Sequence, residues 1–248
     1  MKLFGWCCTI FFSQVCQAQK TNDQLWLEFM LQNPFANVYN LETAVTYSSL
    51  INVSPKWNAL DIQPTLERAL TQHVDIMGAL LFSNTYQNDS LLTRELRPML
   101  GVRFHFTPNS RILTRMLVRF ENRNFLNTET DSWQSSNRTR VRAEAIVPFN
   151  KPTMFAGDKL WYGIFDAETF IVLDKVVEER FANRYRIRAA IGYRLNYACR
   201  FELMYTLQGS RNEIGQTFET IDHIYRIRFK YFLNPSSTYK LKVFGSGN

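Results

Sequence analysis

The chain has 248 residues, a formal net charge of +7 and 46% hydrophobic residues, 15% of the chain being aromatic. That is ample apolar material for one sizeable domain, and no stretch rich in Pro, Gly or Ser divides the sequence into two. Beyond the N-terminal region no segment approaches about 18 uninterrupted apolar residues, which excludes transmembrane helices.

At the N-terminus, Lys2 precedes a mostly apolar run from Leu3 to Phe12, and small residues stand at Cys16 and Ala18. This order predicts a secretory signal peptide over residues 1–18, leaving 19–248 as a single exported domain. A lipoprotein signal ending at Cys16 fits less well, because Ser13-Gln14-Val15 places a large residue where a small one is expected. Removal of residues 1–18 takes away Cys7, Cys8 and Cys16 and leaves Cys199 alone. An intrachain disulfide and a cysteine zinc site are then excluded.

Twelve β-strands are expected in chain order: 24–32, 38–51, 58–70, 74–86, 91–106, 111–124, 136–147, 159–173, 178–195, 198–209, 218–233 and 238–244. The fifth carries Glu95 and Arg97 on one face. The sixth alternates most clearly, with Arg111, Leu113, Arg115, Leu117, Arg119, Glu121 and Arg123 opposed by Ile112, Thr114, Met116, Val118, Phe120 and Asn122. Arg138, Arg140, Arg142 and Glu144 share a face of the seventh strand, and Asp166 and Glu168 a face of the eighth. In the ninth, Arg180, Arg184, Arg186, Arg188 and Arg194 oppose Phe181, Tyr185, Ile187, Ile191 and Tyr193. Arg200 and Glu202 follow on the tenth; on the eleventh, Asp222, Arg226, Arg228 and Lys230 oppose His223, Tyr225, Ile227, Phe229 and Tyr231. Basic residues at every second position mark a sheet face, not a nucleic-acid-binding tail.

Turn-like connections, such as Thr107–Ser110, Asn196-Tyr197 and Asn234–Ser237, alternate with polar ones, such as Asn124 to Ser135 and Ser210 to Gln216. An even-stranded, antiparallel transmembrane β-barrel with both termini in the periplasm has that alternation. A soluble sandwich or lipocalin-like barrel is the competing fold. Three features favour the membrane. The strands match the roughly 9 to 11 residues needed to cross a bilayer at a tilt. Arg outnumbers Lys by 20 to 9, as suits crowded ladders with carboxylates. Tyr185 and Tyr193 stand near opposite ends of one outward face.

The series Glu95-Leu-Arg97-Pro98, Arg119-Phe-Glu121-Asn-Arg123, Arg138-x-Arg140-x-Arg142, Glu179-Arg180-Phe181, Arg184-x-Arg186-x-Arg188 and Gly192-Tyr-Arg194 resembles a Bacteroidota-type outer-membrane β-barrel family, a domain of unknown function (family 2490). The resemblance spans nearly all of residues 19–248. It implies a barrel in the cell outer membrane and carries no catalytic residues.

Candidates for chemistry are few. His73 falls in a turn, His105 near the periplasmic end of its strand and His223 on the outward face. A lipid-facing histidine raises the alternative of an outer-leaflet lipid-modifying hydrolase, but the same-face neighbours of His223 are Ile221 and Tyr225, with no serine. No histidine or carboxylate pair has metal-ligand spacing, and Asp166 with Glu168 reads as part of a ladder with arginines. The expectation is therefore a non-enzymatic barrel without cofactor or metal. Its lumen is lined by Arg and Glu on the strands above and is either a narrow, anion-favouring pore or a filled core. The expected surroundings are outer-membrane lipids and lipopolysaccharide, with barrel-assembly machinery during biogenesis, no nucleic acid, and a monomeric state.

Overall fold

Period-two alternation over long stretches forces each strand to present one face inward and one outward, and a sheet of such strands leaves two raw edges unless it closes. The computed structural model describes residues 21–51, 56–88, 90–174, 183–211 and 220–233, and among them the sheet closes. Eleven strands form the barrel: β1 (Thr21–Phe35), β2 (Tyr39–Leu50), β3 (Trp57–Ala69), β4 (Val74–Gln87), β5 (Ser90–His105), β6 (Leu113–Asn127), β7 (Ser132–Pro148), β8 (Leu160–Val172), β9 (Asn183–Arg194), β10 (Cys199–Arg211) and β11 (Thr220–Phe232). Consecutive strands pair antiparallel, and β1 pairs with β11 in parallel.

The expectation of twelve strands is thereby corrected to eleven. The segment 238–244 lies outside the described residues, and β1 already finds its partner in β11, so closure needs no further strand. Parity has a second effect. An odd count sends Thr21 and Phe232 to opposite rims, whereas twelve strands would return both ends of the barrel to one side. The signal peptide over 1–18 and the motif Glu179-Arg180-Phe181 also lie outside the described residues.

The register fixes the dimensions. Stepping from Phe35 through Tyr39, Arg68, Ile76, Val102, Val118, Val141, Thr169, Tyr185, Gly209 and Ile221 returns to β1 at Thr21, a displacement of 14 residues. With strands about 4.8 Å apart and a rise of about 3.3 Å, that stagger implies a tilt of about 40° and a backbone cylinder roughly 22 Å across.

Boundaries differ from expectation where polarity misleads. The stretch Asn124 to Ser135 is mostly strand, turning only at Thr128–Asp131. Its outward polar residues pair with one another: the Asn122 amide donates to Asn137 at 2.8 Å and the Asn124 amide to Asn122 at 2.7 Å. Likewise β10 continues to Arg211, into the polar stretch expected as a connection. Arg111, by contrast, sits in the turn before β6 and is exposed. The β1–β2 hairpin turns through Ala36 and Asn37, at φ 48° and 62°, the left-handed pair that suits the strand twist.

The parallel seam is the one strand pairing without a hairpin to hold it, and side chains tie it on both faces. Inside, Glu28 on β1 accepts from Arg226 and Arg228, both at 2.9 Å. Arg228 reaches on to Glu202 of β10 at 3.0 Å, and Lys230 meets Glu202 at 2.9 Å. Outside, Phe229 packs between Phe29 and Phe201, with ring centroids 5.8 and 4.9 Å away. Arg228→Ala leaves two buried carboxylates short of a partner, and a broken buried pair costs about 3–5 kcal/mol. Urea titration of the purified barrel, followed by its heat-modifiable migration on a detergent gel, is expected to show an earlier transition for Arg228→Ala than for Phe229→Ala.

Candidate functional site

Inside the barrel lies a cavity of about 1080 Å³ lined by side chains from all eleven strands. That is the upper end of the range for small-molecule pockets, about 300–1,000 Å³. Of the residues singled out by alternation, Glu95, Arg97, Arg115, Arg119, Arg123, Arg138, Arg140, Arg142, Glu144, Asp166, Arg184, Arg186, Arg188, Glu202, Arg226 and Arg228 line it directly. Glu121 and Glu168 are buried among the arginines.

These side chains form a continuous ionic belt. Glu95 binds Arg97 at 2.7 Å and Arg123 at 2.8 Å. Glu121 is the hub: Arg119 and Arg138 hold it at 2.6 Å, with Arg97 at 3.5 Å and Arg140 at 3.7 Å. Arg140 continues to Glu168, which has Arg186 and Arg188 at 3.7 Å, and Arg188 binds Asp166 at 2.6 Å. Arg115 pairs with Glu144. The belt thus crosses β5 to β9 with hardly a break, Glu95, Glu121 and Glu168 each being shared between arginines of two or more strands.

Aromatic rings fill the gaps between guanidinium planes. Phe170 is buried on the inward face, and Arg138, Arg140 and Arg186 lie 4.7, 5.1 and 5.1 Å from its centroid. Trp26 carries Arg226 at 4.4 Å and Arg186 at 5.8 Å. A planar cation that both stacks and forks explains why the inward face uses Arg where an ordinary wet surface would use Lys freely.

The opposite wall has another character, and alternation had not singled it out. β1 to β4 contribute Glu28, Glu42, Asp61, Glu67 and Asp75 to the cavity, and among the described residues no inward Lys or Arg. Some of this charge is met from neighbouring strands: Arg103 of β5 binds Glu67 at 2.7 Å, and the His105 ring nitrogen lies 2.7 Å from Asp75. The signal was present in the period-two series Trp26-Glu28-Met30-Gln32 and Glu42-Ala44-Thr46-Ser48, but single acids among neutral residues make a faint stripe.

One rim is partly covered. The connection 149–159 folds back over the lumen, burying Met154 against Ile146, Leu160, Tyr162 and Ile164. Arg194, itself buried, anchors it by donating from Nη1 to the Met154 carbonyl at 2.8 Å and from Nη2 to those of Ala156 and Gly157. The Tyr197 hydroxyl adds a bond to the Phe155 carbonyl at 3.0 Å. Beneath, Tyr162 lies across Gly192 and donates to Glu202 at 2.7 Å; a Cβ at position 192 would sit 2.3 Å from the Tyr162 ring. Replacing Arg194 by Ala is expected to free this cover. Limited trypsin digestion of the variant should then cut after Lys159, since Pro152 blocks cleavage after Lys151, while the strands stay protected.

The three histidines do not converge. His73 is in the β3–β4 turn, His105 faces inward on β5, and His223 is on the outer face. His223 Nδ1 shares a 2.6 Å hydrogen bond with the Tyr205 hydroxyl, where an acyl-transfer centre would need a serine or cysteine. Among the described residues no group of three His, Cys, Asp or Glu side chains could hold a metal ion.

No curated protein matches the chain. One family model does, over residues 23–219, and its description is a protein of unknown function (DUF2490). With most of its length matched, the chain belongs to that family.

Proposed function

We propose that this member of the DUF2490 family is an outer-membrane barrel whose lumen is a narrow passage for small polar solutes, biased toward negative charge, and that it performs no chemistry. The observation that carries the reading is the large cavity bounded on most of its wall by arginines that outnumber the acids among them. Along β5 to β11 the guanidinium groups exceed the carboxylates, and the positive potential of such a wall raises the local concentration of anions.

Membrane residence is supported by the outer face. Leu27, Phe29, Ile62, Leu80, Phe82, Leu100, Phe120, Phe165, Ile187 and Leu203 form an exposed apolar surface around the whole barrel. Isolated apolar residues on a protein surface are ordinary, but a continuous belt in water would be an aggregation site. Strands of 12 to 17 residues are long enough to cross a bilayer at a tilt of about 40°. Aromatics stand toward both ends: Tyr86 and Trp133 near the rim that holds Thr21, and Trp161, Tyr193 and Phe149 near the other.

Reconstitution in planar bilayers tests the passage. Small, anion-selective unitary currents are expected from the reversal potential in a salt gradient. Cation selectivity would overturn the charge bias, and a silent bilayer from correctly folded protein would favour a filled barrel.

A second reading, an outer-leaflet lipid hydrolase, draws on the outward Tyr205–His223 pair. The 2.6 Å hydrogen bond also has a structural reading, since on an apolar face each ring satisfies the polar atom of the other. Membrane lipids extracted from cells carrying the wild type and the His223→Ala variant are expected to have the same acyl content; a difference would favour the enzyme.

A further inference from the structure

Charge in the lumen is divided by side, not only in surplus. β2 lies five strands from β7 in one direction round the barrel and six in the other, so these two strands face each other across the lumen. On β7, Arg142 lines the cavity with no carboxylate within 4.0 Å among the described residues, in contrast to Arg138 and Arg140 beside it, which are held by Glu121 and Glu168. On the facing wall, Glu42 of β2 and Asp61 of β3 line the same cavity with no Lys or Arg within 4.0 Å among the described residues. Glu42 accepts from the Gln32 amide, and Asp61 is matched with Ser83 in the register, so both rest on neutral neighbours.

A cation on one side of the cavity and two carboxylates on the other, none in an ion pair within 4.0 Å among the described residues, establish a field across the lumen, at right angles to its axis. A solute with a single charge gains from one wall and is repelled by the other. A solute with separated opposite charges gains from both. We infer that the lumen recognises small zwitterions, of the size of a short peptide, with the carboxylate turned to Arg142 and the ammonium to the wall that holds Glu42 and Asp61, four residues apart in the register. The inference rests on the reading of the barrel as a passage.

Scale supports a short peptide. A backbone cylinder roughly 22 Å across, less the reach of the side chains on each wall, leaves roughly 10 Å between opposed charges, the extended length of about three residues. The guanidinium of Arg142, flanked by Glu144 and Glu168 but with no carboxylate within 4.0 Å among the described residues, also offers the planar fork that a carboxylate accepts in two parallel bonds.

Proteoliposomes clamped at zero potential and three radiolabelled probes of one backbone test this: triglycine, N-acetyltriglycine and triglycinamide, which are a zwitterion, an anion and a cation. Contacts across water are individually weak, so the two together are expected to admit triglycine about fivefold faster than N-acetyltriglycine, with triglycinamide slowest. Arg142→Gln is expected to abolish the preference for triglycine, and Glu42→Gln combined with Asp61→Asn to shift it toward N-acetyltriglycine. Each variant is compared only after it shows the heat-modifiable migration of the wild type. N-acetyltriglycine entering as fast as triglycine would overturn the inference and leave the anion-favouring passage standing. An unchanged preference in folded Arg142→Gln would overturn it equally. Exclusion of all three probes would remove the passage itself.

Discussion

Most charges pointed into this barrel are largely buried, and a buried ion left without a partner costs more than most single contacts contribute. That constraint organises the molecule. Carboxylates bind arginines of their own and of adjacent strands, so that Glu121 on β6 draws on β5, β6 and β7 together, and Glu168 on β7 and β9. Pairing across strands resists sliding, because a slip of one residue would turn every inward charge outward. The ionic belt therefore holds the register as well as neutralising the wall.

The guanidinium group meets several demands at once. Phe170 and Trp26 lie among arginines, giving each planar cation an apolar surface for its face while its edge bonds a carboxylate or an amide, as Arg186 does with Gln208 at 2.6 Å. Lysine offers neither the plane nor the fork. Where rings are few and hydroxyls common, on β2 to β4, the wall carries acids and neutral groups instead, with Thr46, Ser48 and Thr65 buried between them. The two sides of the lumen differ because their packing differs.

Much of this was legible in the sequence, and what escaped did so for physical reasons. Arg115, Arg119 and Arg123 stand out because a long basic side chain at alternate positions has no other common explanation. Glu42 and Asp61 give no such contrast among serines, threonines and glutamines, although they point the same way. The polar run Asn124 to Ser135 reads as a loop, whereas in the fold outward polar side chains bond each other across the hairpin, as Asn122 does with Ser135 and Asn137. The cover formed by 149–159 depends on Arg194, more than thirty residues away, whose reach to three carbonyls no local pattern announces. Strand parity is the most distant property of all. It is decided by the sum of all the registers and by what β1 meets at the end of the circuit.

The parallel seam bears on the order of events. Ten pairings join neighbours in sequence and can zip from short turns, but β1 and β11 are matched at a separation of 200 residues, Thr21 with Ile221 and Gln32 with Phe232. Such a contact carries the largest loop-closure entropy in the chain and returns stabilisation last. Until β11 is in place, β1 presents an open edge able to template strands from another molecule. The nascent sheet is most exposed to mispairing while its first strand waits for its last, and the ion pair that seals it, between Glu28 and Arg228, contributes nothing until the final step.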